Sequence, residues 1–162
     1  MKRRNLLGAG VLLLALAPAG GITTTSVAAG FAGTWQLASA TDGKRTRTDL
    51  DERLTLRISG DWLEVEYRIA DRFGRRELVL RAPLDGRPSE QTVQSRRAEV
   101  TALLDGERLV LTIERDAPFG YIRNRRTMQL AGDGRRIDSR RENFKENGAR
   151  HSGWQETWTR VE

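Results

Sequence analysis

Cysteine is absent from the 162-residue chain. That excludes a disulfide framework, thiolate metal sites, a cysteine nucleophile and lipid attachment to a cysteine behind a leader segment. Histidine occurs once, as His151, which is too little for a histidine-rich metal site or a histidine-activated nucleophile. Neither a metal nor any other cofactor is expected. Long apolar runs are missing except for Leu6 to Ala17, which is too short to cross a bilayer comfortably. Beyond residue 30, apolar residues show no helical period.

What remains is a polar, charged chain with 38% hydrophobic and 31% charged residues, enough for one domain of ordinary size with a modest core. The formal charge is +6, but Lys2, Arg3 and Arg4 lie in a segment expected to be removed. Without them, 25 basic residues face 22 acidic ones, about +3. Nearly all the basic residues are arginine, which pairs with carboxylates across strands and grips phosphate bidentately; a bias toward arginine codons gives the same count.

Residues 1–29 read as a secretory signal peptide. Lys2-Arg3-Arg4 is the charged start, Leu6 to Ala17 the apolar stretch, and Pro18 a breaker. Val27-Ala28-Ala29 places small side chains for cleavage before Gly30, with Ser26-Val27-Ala28 as a second site. Arg3-Arg4-Asn5-Leu6-Leu7 also resembles a twin-arginine export motif. The expectation is a single domain at residues 30–162, in the periplasm or secreted.

That domain reads as strands. Trp35, Leu37 and Ser39 alternate with polar residues in a first strand. Residues 44–51 are charged and read as a loop. Glu52 to Ile69 form a hairpin turning at Gly60-Asp61, with Leu54, Leu56 and Ile58 facing Tyr67, Val65 and Leu63, while Arg57 meets Glu64 on the other face. Leu78 to Val93 suggest a hairpin about Asp85-Gly86, with Leu78 opposite Val93, Leu80 opposite Gln91 and Arg81 opposite Glu90, so that Gln91 and Ser89 point inward. Ala98 to Glu114 alternate without a flaw; a type I′ turn at Asp105-Gly106 would pair Val100 with Leu111, Ala98 with Ile113 and Ala102 with Leu109. Tyr121 to Arg141 fold at Asp133-Gly134, pairing Leu130 with Ile137, Met128 with Ser139 and Arg126 with Arg141. Two turns are expected at residues 71–75 and 117–120, and a polar loop with His151 at residues 144–153. The last strand, Trp154 to Val161, puts Trp154, Glu156, Trp158 and Arg160 on one face. Nine or ten strands with glycine corners and no helix longer than a turn predict an all-β, antiparallel up-and-down meander closed into a barrel, since closure removes the edges.

Gly33-Thr34-Trp35 opening the first strand, with Arg160 in the last, resembles the calycin group, the lipocalins and small lipocalin-like secreted domains. The resemblance implies that Trp35 closes one barrel end and that Arg160 packs over it; Trp158 is assigned to the same closure. The chain is short for a lipocalin. Its length is nearer that of fatty-acid-binding proteins, but it lacks their helical lid between the first two strands.

The residues suggest three functions. In the first, Arg126 and Arg141 share the apolar parity of their hairpin, so two guanidinium groups inside a cavity could hold a carboxylate or phosphate head, with Asn124 and Tyr67 beside them and Leu and Val along the tail. Two like charges facing each other then need an anion or an acidic neighbour. The second is an envelope-associated interaction protein with a filled barrel, whose arginines at 123, 125, 126, 135, 136, 140 and 141 meet an anionic envelope component; the interleaved acids favour a self-paired face. The third, an enzyme, rests only on Glu64 and Glu66 sharing a face, so no catalytic residue is assigned. Nucleic acid is not an expected partner, for want of a base-stacking platform, and a monomer is expected. The first reading therefore stands in front: an exported, non-enzymatic barrel holding a small amphipathic or acidic ligand or lipid.

Overall fold

The computed structural model describes residues 24–71, 74–117 and 120–161. Residues 1–23 of the expected leader, residues 72–73 of the first expected turn and residues 118–119 of the second lie outside them. A short helix, α1 (Thr24–Phe31), is followed by eleven strands: β1 (Gly33–Thr41), β2 (Thr46–Arg47), β3 (Asp51–Ser59), β4 (Trp62–Asp71), β5 (Gly74–Pro83), β6 (Ser89–Val93), β7 (Arg96–Asp105), β8 (Arg108–Ala117), β9 (Gly120–Leu130), β10 (Arg136–Phe144) and β11 (Arg150–Val161). They form one antiparallel sheet in the order β5-β4-β3-β1-β11-β10-β9-β8-β7-β6, with β2 attached to β1. This is the expected meander, bent round until β1 joins β11, and nearly closed.

Alternation explains the barrel. Leu54, Leu56, Leu63, Val65, Val100, Ala102, Leu109 and Leu111 all point inward and are buried, because successive strand side chains take opposite faces. The β3–β4 register is the expected one, with Leu54 on Tyr67, Leu56 on Val65 and Ile58 on Leu63. The β9–β10 register also matches, with Leu130 on Ile137 and Arg126 on Arg141.

Three expectations need correction. First, the β7–β8 hairpin turns one residue later than Asp105-Gly106. Asp105 pairs with Arg108, and Val100 meets Ile113 and Ala102 meets Leu111. Gly106 has φ 59° and Asp105 is not in the left-handed region, so the loop is Gly106-Glu107, the glycine-first geometry that needs only one positive φ. The shift is two residues in register, so the inward face is unchanged.

Second, β5 and β6 do not pair with each other: β5 lies along β4 over its whole length and β6 along β7. Pro83 and Pro88 remove two amide donors there, and the Leu84–Gly86 corner bonds β7 instead, through Gly86 N to Ala102 O and Leu104 N to Leu84 O. The Gln91 side chain spans the seam, accepting from Arg81 N at 3.1 Å and donating to Arg81 O at 2.7 Å, rather than entering the interior. The β6–β7 turn places Gln94 and Ser95 at positive φ, a geometry usually advertised by Asn-Gly and here carried without it.

Third, the 44–51 stretch contains β2, and strands occupy Phe144 and Arg150 to Gly153, so the polar loop shrinks to residues 145–149. As expected, residues 30–162 hold no helix longer than a turn among the described residues; the helix that precedes β1 is α1. It straddles the expected cleavage site and buries Ala28 and Phe31.

Candidate functional site

The barrel has one closed end and one open end. At the closed end Trp35 is fully buried and donates from Nε1 to Phe31 O at 3.0 Å. The Arg160 guanidinium lies 4.2 Å above the Trp35 ring. It donates to Ala32 O and Gly30 O at 2.7 Å each and to Gly134 O at 3.0 Å, so one cation ties three carbonyls to an aromatic face. Gly33 makes this possible: a Cβ there would sit 2.5 Å from Arg160 Nη1.

The open end leads into a cavity of about 990 Å³, at the upper end of the range for small-molecule sites. Val65, Leu78, Leu80, Val93, Leu111 and Ile113 supply its apolar side, from β4, β5, β6 and β8. Arg126, Asn124, Arg141 and Asn143 supply its polar side, from β9 and β10. Tyr67 lines it from β4; Lys145, Glu146, Asn147 and His151 line the mouth.

The two arginines meet over an acid. Arg126, 6% exposed, has Nε 3.3 Å from Glu156 Oε2, and Arg141 Nε is 3.0 Å from Glu156 Oε1. Glu156 is 2% exposed. Its Oε2 also accepts from Ser139 Oγ at 2.9 Å and from Trp158 Nε1 at 3.3 Å. The Arg126 guanidinium stacks 5.0 Å from the Tyr67 ring and 5.4 Å from Trp158, and those rings contact each other edge to face. The Tyr67 hydroxyl donates to Glu52, a second buried acid. Arg126 Nε and Glu156 Oε1 make no hydrogen bond of their own.

Burial pushes the Glu52 carboxyl above its ordinary range, against the pull of Arg141. Burial likewise lowers Arg141, against the pull of Glu156. Glu156 is the one carboxylate that bridges the two guanidinium groups, and the raised Glu52 carboxyl holds its proton more tightly than an exposed one. Arg141 is the accessible member, its side chain 23% exposed against 8% for Arg126.

The structure thus brings together Arg126, Arg141, Asn124 and Tyr67 on one cavity, and Trp35 and Arg160 at the opposite end. Trp158 sits between, beneath Arg126. Sequence reasoning missed Glu156 and Glu52 as partners, although both lie on the inward parity of their strands. Placing Glu156 beside Ser139 needs the β10–β11 register, which a loop of unknown length conceals.

On the outer face the arginines are largely paired. Arg123 holds Glu114 at 2.6 Å, Arg136 holds Asp138 at 3.2 Å, and Arg125 and Arg140 hold Glu142 at 3.0 and 2.9 Å. Burial raises the Glu142 carboxyl, but the Arg125 hydrogen bond and the charges of Arg140, Arg125 and Arg150 outweigh it and leave it below the usual range. Glu64 and Glu66 are likewise bound to Arg57 on the outside.

No protein-family model matches the chain, and no curated protein matches it. Solved structures do. A lipid binding protein 8 from Caenorhabditis elegans aligns with TM-score 0.55 and 9% identity over 82% of this chain and 96% of its own. Human cRBP IV aligns with TM-score 0.53 and 16% identity over 80% and 97%. A Schistosoma mansoni fatty acid binding protein in complex with arachidonic acid aligns with TM-score 0.53 and 11% identity over 84% and 99%. At these identities the likeness is one of fold: the chain is a calycin-like barrel.

Proposed function

We propose that this protein is a non-enzymatic binding protein that holds a small amphipathic acid in its barrel, with the acid head at Arg141 and Arg126. One observation carries this reading: a cavity of about 990 Å³ has an apolar side and a pair of arginines with only one carboxylate between them. A ligand carboxylate or phosphate adds a second acceptor for the two guanidinium groups, and the apolar side takes the tail. The lipid and fatty acid binding proteins that share the fold support a ligand of this kind. The paired outer arginines favour this reading over an anionic envelope partner.

Export belongs to the same proposal. Arg160 holds Gly30 O and Ala32 O, contacts that survive cleavage before Gly30, so the barrel end stays tied once a leader is gone. Native mass spectrometry of protein purified from the producing cells tests both parts. The expected spectrum shows a chain starting at Gly30 with an added acid of small mass, which Arg126→Ala loses. A chain that starts at Met1 contradicts export, and no bound mass after incubation with excess palmitate contradicts the binding role.

A further inference from the structure

The cavity is polar along one side and not only at one end. The head-group reading explains Arg126 and Arg141 but leaves Asn124 and Asn143 unused. These lie two residues nearer the mouth on the same strands and on the same inward face. Two residues of strand span about 7 Å, so the amides form a second polar level about that far above the guanidinium groups. They are joined across the strands: Asn124 Nδ2 donates to Asn143 Oδ1 at 2.6 Å, and Asn143 Nδ2 to Ser152 Oγ at 2.8 Å. Each amide nitrogen keeps a second hydrogen, and Asn124 Oδ1 accepts nothing among the described residues. β9 and β10 lie across the barrel from β4 and β5, whose cavity residues are the apolar Val65, Leu78 and Leu80 and Tyr67, whose hydroxyl is engaged by Glu52. A plain alkyl chain would cover the spare amide groups without pairing them, which costs free energy.

We propose that the cavity selects amphipathic acids carrying a second polar group, a hydroxyl or carbonyl, on one edge of the molecule about 7 Å from the acid head. The head sits at Arg141, the second group at Asn124 and Asn143, and the apolar edge against β4, β5 and β8. This inference rests on the binding role proposed above and narrows the ligand class.

The test is displacement of an anionic fluorescent probe from the purified protein by hexadecanoate and by a series of monohydroxyhexadecanoates with the hydroxyl stepped along the chain. The expected result is one mid-chain position that binds roughly tenfold tighter than hexadecanoate, the worth of one well-placed hydrogen bond, with positions near the head or the far end giving no gain. In Asn124→Leu and Asn143→Leu, checked for folding by circular dichroism, that acid and hexadecanoate should bind within about twofold of each other. If hexadecanoate binds as well as every hydroxylated acid, the selectivity is overturned while the binding role stands. A preference that persists in both leucine variants overturns the assignment to these amides. If none of the acids displaces the probe, the binding role itself fails. Should the variants not fold, the positional series in the native protein decides alone.

Discussion

At Glu156 one carboxylate serves two guanidinium groups, a serine hydroxyl and an indole N–H. Such a group is held by its partners, because an unpaired charge in the interior costs several kcal/mol. Glu52 differs. Its partner is the neutral Tyr67 hydroxyl, and burial pushes its carboxyl above the ordinary 4.5. The folded chain therefore binds this proton more tightly than the unfolded chain does. Stability from this group is full below about pH 4.5 and falls as pH rises through the raised value. Glu52→Gln keeps an acceptor for Tyr67 and removes the titration. Urea unfolding from pH 4 to pH 8 should show the variant equal to the wild type at the acid end and more stable at the alkaline end; parallel curves would contradict the assignment.

Among the elements, β6 is the weak one. It is the shortest strand apart from β2, and it meets β5 through one side chain instead of a ladder. Gln91→Leu keeps the volume and removes both bonds, so amide exchange at Arg81 should quicken roughly tenfold while overall stability falls by about 1 kcal/mol. Unchanged exchange at Arg81 would show that the bridge does not hold the seam. The same region marks the limit of sequence reading. Hairpins whose two faces carry independent patterns were legible: β3–β4 had apolar residues inside and Arg57 on Glu64 outside, and only one register satisfied both. The β7–β8 strands had the right inward face but the wrong register, because alternation fixes parity while a turn glycine can take either loop position. β5 and β6 were joined wrongly because Asp85-Gly86 looks like a hairpin corner. Nothing local says that Leu84 and Gly86 bond a strand further along the chain. Glu156 and Glu52 were visible by parity and invisible as partners, since their contacts lie between strands distant in sequence.

Taken whole, the molecule separates a tied end from a receptive one. Trp35, Arg160 and Phe31 close the first with apolar packing and a cation over an indole. Outside, carboxylates answer most arginines of the β9–β10 hairpin; inside, two arginines share Glu156. The cavity therefore holds two guanidinium groups that share one bridging carboxylate, and an anion gains more from charges held partly out of bulk water than from exposed ones. The direct test of this account is calorimetric titration with a hydroxylated fatty acid and with its methyl ester, which has the same tail and no charge, in the wild type and in Arg141→Gln. The account predicts that the acid binds the wild type ten- to a hundredfold tighter than the ester, the range for a hydrogen bond to a charged group, and that the difference collapses in Arg141→Gln. Equal affinity for acid and ester in the wild type would contradict it.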